Sequence, residues 1–164
     1  MLIRALILSD IHGDDTTLRW LLEQVWKETG PIDAYVCLGD GVRDFDRVEG
    51  FIRQRDEHAL MYAVCGNNDW GTDAPNFRII ELGGVKIYMT HGHFQRVKSS
   101  LYRLRDVVRE AGCSLGLYGH THAADLDYAG PTLANPGAAC AERCALMEIE
   151  NGKARIRLLN YSLT

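Results

Sequence analysis

The chain has 164 residues, 46% of them apolar and 24% charged, which fits one globular domain with an ordinary core and argues against disorder. Its formal net charge of −4 and pI of about 5.8 argue against a protein that lives on nucleic-acid backbone. No run approaches the ~20 apolar residues of a membrane helix.

Strand and helix signals alternate from the start. Leu2–Leu8 reads as a buried first strand, followed by Ser9-Asp10-Ile11-His12 where a secretory cleavage site would need small residues, so a cytoplasmic protein is expected. Asp14 or Asp15 can cap a helix in which Leu18, Leu21, Leu22, Val25 and Trp26 recur at helical spacing, ended by Gly30-Pro31. Ala34–Leu38 predicts a second strand, Phe45–Arg55 a second helix and Leu60–Cys65 a third strand. Phe77–Leu82 and Val85–Thr90 pair as a hairpin across Gly83-Gly84. Ser99–Ala111 follows as a helix closed by Gly112, then a strand over Ser114–Tyr118. Leu126–Tyr128 and a turn at Gly130-Pro131 lead to a last hairpin, Ala145–Ile149 with Ala154–Leu159, across Asn151-Gly152. Parallel βαβ units first and antiparallel hairpins later predict two mixed sheets packed face to face with helices outside, in a single domain spanning residues 1–164. Five cysteines, an odd number without a C-x-x-C pair, read as reduced thiols rather than as a disulfide or zinc framework.

Chemistry-bearing residues gather just after the predicted strands. In chain order these segments are Asp10-Ile11-His12, Gly39-Asp40, Gly66-Asn67-Asn68-Asp69, Thr90-His91-Gly92-His93 and Gly119-His120-Thr121-His122. Ligands of open α/β sheets bind outside the carboxyl ends of strands, so loops along one rim can converge. Two histidines one residue apart at a strand end point to the same side, and neutral imidazole is the commonest protein metal ligand. No G-x-S-x-G elbow and no Walker A sequence is present.

These five segments, in this order, resemble the calcineurin-like metallophosphoesterases, in particular their small bacterial phosphodiesterase branch, over nearly the whole chain. The resemblance implies the four-layer αββα sandwich. It also implies a pair of divalent metals: Asp10, His12, Asp40 and His122 would hold one, and Asp40, Asn67, His91 and His120 the other, with Asp40 bridging. Mixed oxygen and imidazole donors suit Mn, Fe, Co, Ni or Zn better than Mg or Ca, with Mn the working choice. Two divalent ions, two aspartates and a bridging hydroxide that attacks phosphorus in line leave about one positive charge, which suits a monoanionic phosphodiester. The expected function is therefore a dinuclear metal-dependent phosphodiesterase acting on a small-molecule phosphoester. The alternatives are a phosphomonoesterase on nucleotides or small phosphate esters and, from another class, a non-catalytic scaffold like a retromer subunit of this fold. The resemblance also allows a homodimer.

One position departs from the pattern. The family's third box usually reads Gly-Asn-His; here Asn68 stands where that histidine would sit beside the leaving group. An amide can donate a hydrogen bond to a phosphoryl oxygen but cannot deliver a proton near neutrality. Asn68 and His93 are thus the candidate catalytic residues, His93 taking a polar role near substrate. Asp44 and Asp69 read either as supports for ligands or as loop polarity. Trp70 reads either as a stacking partner or as a packed loop aromatic, Asn135-Pro136-Gly137 as a turn, and His58 as a surface residue.

Overall fold

A computed structural model describes residues 1–162 of the chain. Ten strands and four α-helices follow in the order β1 (Ile3–Leu8), α1 (Asp15–Glu28), β2 (Ala34–Cys37), α2 (Val42–Arg47), α3 (Glu49–Arg53), β3 (Leu60–Ala63), β4 (Phe77–Leu82), β5 (Val85–Thr90), α4 (Tyr102–Glu110), β6 (Leu115–Leu117), β7 (Asp125–Asp127), β8 (Thr132–Asn135), β9 (Arg143–Glu150) and β10 (Lys153–Asn160). They form two five-stranded sheets, ordered β10-β9-β1-β2-β3 and β4-β5-β6-β8-β7. Both are mixed: β1 pairs in parallel with β2 and antiparallel to β9, and β6 runs parallel to β5 and β8 while β7 runs antiparallel.

Three apolar layers account for the stacking. Between the sheets, Ile7, Val36 and Leu38 of the first sheet and its strand ends meet Ile87, Met89, Leu117 and Ala134 of the second. Outside the first sheet, Leu18, Leu21, Leu22 and Val25 of α1 and Phe45, Val48 and Ile52 cover Leu6, Leu8, Tyr35 and Cys37. Outside the second, Leu104 and Val108 of α4 cover Tyr88, Tyr118 and Leu133. The architecture is therefore the expected four-layer αββα sandwich. Burying both faces of a sheet requires near-continuous apolar runs, and β1 and β2 have them.

Local expectations hold to different degrees. Asp14 caps α1 by accepting from the Thr17 backbone N–H at 3.0 Å. The helix expected over Phe45–Arg55 is instead two short helices divided at Val48, whose N–H is shared between the carbonyls of Asp44 and Phe45. This tightened turn buries Val48 completely, and Gly50 just after it weakens helical continuity. The first of the two also starts earlier than expected, at Val42, because the distant Asp69 carboxylate accepts from the N–H groups of Gly41 and Val42. Strand β8 was not among the expected elements. Its four residues show no alternation, since it lies between β6 and β7 with three of the four buried. The last two strands run longer than expected and α4 shorter. All five cysteines are free, three of them buried, in keeping with the thiol reading. No helix among the described residues is long and apolar enough to cross a membrane.

A buried polar knot sits against α1. The Trp26 indole N–H donates to the Tyr35 hydroxyl at 2.9 Å, Tyr35 donates to Asp56 at 2.5 Å, and Arg55 donates to the same Asp56 oxygen at 2.8 Å. Burial and the Asp56 carboxylate push the Tyr35 phenol well above its ordinary pKa, so it remains a donor. Tyr35→Phe leaves the indole N–H and the carboxylate short of a partner, and a loss of about 1–3 kcal/mol is expected in urea unfolding, with metal uptake unchanged.

Candidate metal centre

Each expected ligand follows the carboxyl end of a strand: Asp10 and His12 after β1, Asp40 after β2, Asn67 after β3, His91 after β5, and His120 and His122 after β6. Because β6 ends at Leu117, strand alternation does not orient the last two. Backbone conformation does. Asp10, His12, Asp40, His120 and His122 all adopt left-handed φ, between 52° and 71°, and only three other non-glycine described residues have positive φ. Such a backbone costs about 1 kcal/mol or more per residue and persists only where surrounding contacts dictate it.

Hydrogen bonds between the loops supply those contacts. The N–H of Asp10 donates to the Gly39 carbonyl, and those of Ile11 and His12 to the Asp40 carbonyl, lacing the first two loops together. The Gly119 N–H donates to the His91 carbonyl and laces the loops of the second sheet. Asp69 spends its whole carboxylate on backbone: one oxygen accepts from Asp40 and Gly66 at 2.6 and 2.7 Å, the other from Gly41 and Val42 at 2.9 and 3.0 Å. Asp44, buried, accepts from the Gly13 N–H at 3.0 Å and from Arg47 at 3.1 Å. Both acidic residues are supports rather than mere loop polarity. Asn135 is buried as well, its amide donating to the Gly119 carbonyl at 3.1 Å and to the Thr121 hydroxyl at 2.9 Å, so this segment holds the histidine loop and is more than a turn. The loops approach so closely that a Cβ on Gly66 would stand 2.2 Å from Asp40 Oδ1, and one on Gly119 2.0 Å from Ser9 Oγ.

The side chains form two adjoining groups, Asp10 with His12 and His122, and Asp40 with His91 and His120. In the first, His12 Nε2 lies 3.1 Å from His122 Nε2, and Asp10 Oδ1 lies 3.5 and 3.3 Å from these two atoms. In the second, His91 Nε2 is 3.2 Å from His120 Nδ1 and 3.3 Å from Asp40 Oδ2. Asp40 Oδ2 also stands 3.8 Å from His12 Nε2, so this carboxylate links the groups. Two donors each about 2.1 Å from one transition-metal ion stand roughly 3–3.5 Å apart, which is the spacing found.

Electrostatics agree. Asp10 is fully buried; its Oδ2 accepts from Ser9 Oγ at 2.7 Å and from the His120 N–H at 3.1 Å, while Oδ1 has no hydrogen-bond partner among the described residues. An orphaned buried carboxylate oxygen aimed at two imidazoles fits a cation. Burial works against the charge on Asp40, but His91 and the two Asn68 donors outweigh it and hold the carboxyl well below the usual range. Burial likewise disfavours a proton on His91, yet Asp40 and Asp10 overcome it and raise its pKa. The field that favours a proton there favours any cation. The His91 ring is oriented by its other nitrogen, Nδ1, which donates to the Leu38 carbonyl at 2.7 Å and leaves Nε2 to face the group. Burial, then His91, lowers His120 and His93, favouring the neutral rings.

The remaining candidates distribute as follows. Asn67 is exposed and makes none of the hydrogen bonds that bind these loops, whereas Asn68 donates its backbone N–H to Asp40 Oδ1 at 2.8 Å and its side-chain amide to Asp40 Oδ2 at 2.9 Å. His93 packs its ring 5.4 Å from that of His91 and has a buried Nδ1 without a hydrogen-bond partner among the described residues. Trp70 is 78% exposed, which removes the packed-aromatic reading, and His58 lies on the surface. Beside the two groups opens a cleft of about 370 Å³, whose lining includes His12, Asp40 and Asn68 together with Arg43, Arg47, Trp70 and Thr72. Ser9 and the Leu38 carbonyl were not singled out in the sequence; a hydroxyl immediately before the first aspartate was the available signal for Ser9.

The fold and this donor set define a metallophosphoesterase-type centre, and comparison with known proteins agrees. Residues 3–152 match the family model of the calcineurin-like phosphoesterase superfamily domain. The chain belongs to this superfamily. It is 26% identical over 168 residues to the probable metallophosphoesterase YsnB of Bacillus subtilis (strain 168), covering 98% of this chain and 92% of that one. Among solved structures, a predicted phosphoesterase from Streptococcus pneumoniae TIGR4 superposes with a TM-score of 0.75 at 24% identity, covering 98% and 90% of the two chains. A Vps29 single mutant from Entamoeba histolytica gives 0.70 at 21%, covering 99% and 100%. An archaeal phosphodiesterase gives 0.69 at 21%, covering 96% and 100%.

Ser9 touches no donor group except through Asp10, so its loss isolates the value of that support. Ser9→Ala is expected to weaken divalent-metal binding about 10–100-fold in a calorimetric titration while the melting temperature of the metal-free protein changes little.

Proposed function

We propose that this chain is a metal-dependent phosphodiesterase that holds two divalent transition metals, Mn first among Mn, Fe, Co, Ni and Zn. Asp10, His12, Asp40 and His122 serve one ion, and Asp40, Asn67, His91 and His120 the other. The observation that carries the reading is the pair of adjoining oxygen and imidazole groups that share Asp40 at the edge of an open cleft. Asn67 is the one proposed ligand outside the tight clusters; rotation of its exposed side chain is the movement its role requires.

When bound, such a metal pair supplies Lewis acidity toward phosphoryl oxygen and lowers the pKa of water. The chain's own residues do the rest. Asp10 and Asp40 bring two buried negative charges that only a compensated site can keep, and the four imidazoles add donors without adding charge. Asn68 holds Asp40 with two N–H groups and presents to the cleft an amide that cannot act as an acid near neutrality. A leaving group must therefore depart largely unassisted, which suits aryl diesters over alkyl monoesters. His93, beside His91 and kept neutral by burial, is assigned a polar role near the substrate. The archaeal neighbour is a phosphodiesterase, which supports the diester reading. Free cysteines support a reducing, cytoplasmic setting.

Protein purified without chelator is expected to contain about one to two transition-metal ions per chain by elemental analysis. With Mn²⁺ supplied, bis(p-nitrophenyl) phosphate should turn over faster than an alkyl phosphomonoester, and faster monoester turnover would reverse the assignment. Asp40→Asn, which weakens both groups at once, should lower kcat/KM by about a thousand-fold or more and reduce metal content, with a larger effect than His122→Ala.

A further inference from the structure

The lining of the cleft includes a cation that the fold does not use. Three carboxylates line this cleft, that of the donor residue Asp40 and those of Asp44 and Asp69, and their commitments can be followed atom by atom. Asp69 gives both oxygens to four backbone N–H groups. Asp44 is taken by the Gly13 N–H and by Arg47, whose charge it compensates at 3.1 Å. Asp40 faces Asn68 and the imidazoles. Arg43, which lines the same cleft, has no hydrogen bond or ion pair with any described residue. In a chain of net charge −4, an exposed guanidinium at the cleft with no carboxylate in ion-pair distance is poised for an external anion.

Its position is defined by Gly71. A Cβ built there would stand 3.1 Å from Arg43 Nη2, and the φ of +72° at this glycine turns the chain directly after Trp70. The guanidinium thus rests against the turn that presents the Trp70 indole, and that indole, 78% exposed, borders the cleft as well. A planar apolar ring, a free cation and a phosphoester centre therefore surround one space of about 370 Å³. That is near the lower end of small-molecule pockets, roughly 300–1,000 Å³, and suits a single nucleotide unit rather than a polymer strand.

We propose that Arg43 and Trp70 form a specificity wall for nucleotide-type substrates that carry a second phosphate: the reacting phosphoester lies at the donor groups, the base stacks on Trp70, and the additional phosphate pairs with Arg43. The inference rests on the phosphodiesterase reading for the reaction itself, but the wall is a binding device and is measurable without turnover. Stacking on an exposed indole tolerates any base, so the wall distinguishes charge and planarity rather than base identity.

Binding of thymidine 3′,5′-bisphosphate and of thymidine 5′-monophosphate to the Mn²⁺-loaded protein, followed by calorimetry, tests this directly. The wild type should bind the bisphosphate at least about ten-fold more tightly, an advantage that shrinks as salt rises. Arg43→Ala should remove most of that advantage, and Arg43→Lys should restore part of it, since a point charge keeps the attraction but loses the fork. Trp70→Ala should weaken both ligands by about ten-fold while leaving the ratio between them. Equal affinity of the wild type for the two ligands, or an unchanged ratio in Arg43→Ala, overturns the wall. Turnover of the p-nitrophenyl ester of thymidine 5′-phosphate by the wild type is read in parallel. No turnover together with an intact binding ratio overturns the phosphodiesterase reading alone.

Discussion

Neither sheet alone builds either donor group. Asp10 and His12 leave the first sheet and meet His122 from the second; Asp40 leaves the first and meets His91 and His120 from the second. Face-to-face packing of the two sheets therefore sets every cross-group distance. The apolar layer of Ile7, Val36 and Leu38 against Ile87, Met89 and Leu117 lies directly beneath these loops. Close-packed interiors transmit small volume changes as displacements, and donor atoms must be held within a few tenths of an ångström. In this chain the core is the jig for the site.

Above the core, fixing the loops falls to a few polar side chains that touch no ligand atom or touch it only from behind. Asp69 joins the loop after β2 to the loop after β3, Ser9 and the His120 N–H clamp the outer oxygen of Asp10, Asn135 ties down the histidine loop, and the Leu38 carbonyl orients His91. Five left-handed backbones at the expected ligands are the strain this network sustains. Aspartate and histidine tolerate that conformation better than most residues, so the side chains that bind are also ones the backbone can bend around. The local cost is offset by the sandwich beneath, whose layers are buried almost without interruption.

How much of this was readable beforehand follows from the range of each interaction. Apolar runs such as Leu2–Leu8 and the helical spacing of Leu18, Leu21, Leu22 and Val25 are local signals, and they located β1 and α1. Five ordered segments of Asp, Asn, His and Gly pointed to one rim, and the six aspartate and histidine residues expected as ligands do come together there. What escaped depends on partners far along the chain. The early start of α2 is produced by Asp69, the burial of β8 by neighbours on both sides, and the split at Val48 by a tight turn over the core. The neighbouring Asn67 and Asn68 show the same limit: the family resemblance implied a role for both residues at the site but could not tell which amide would lie on Asp40.

That last detail bears on how one scaffold carries different chemistries. The donor groups depend on buried charge, shared backbone contacts and strained loops, so their residue types have little freedom. The position after Asn67 and the wall of Arg43 and Trp70 are exposed, and no backbone hydrogen bond of the neighbouring loops relies on the Arg43 or Trp70 side chain. The Asn68 amide has no proton to deliver near neutrality, yet it donates one hydrogen bond to Asp40, whose other oxygen accepts from the Asn68 backbone N–H. On the proposed reading, reaction class is built into the rigid interior of the site, whereas leaving-group and substrate preference rest on side chains at its rim. Those rim residues can change without unravelling the metal centre, which is the physical condition for a fold to diversify in substrate while keeping its chemistry.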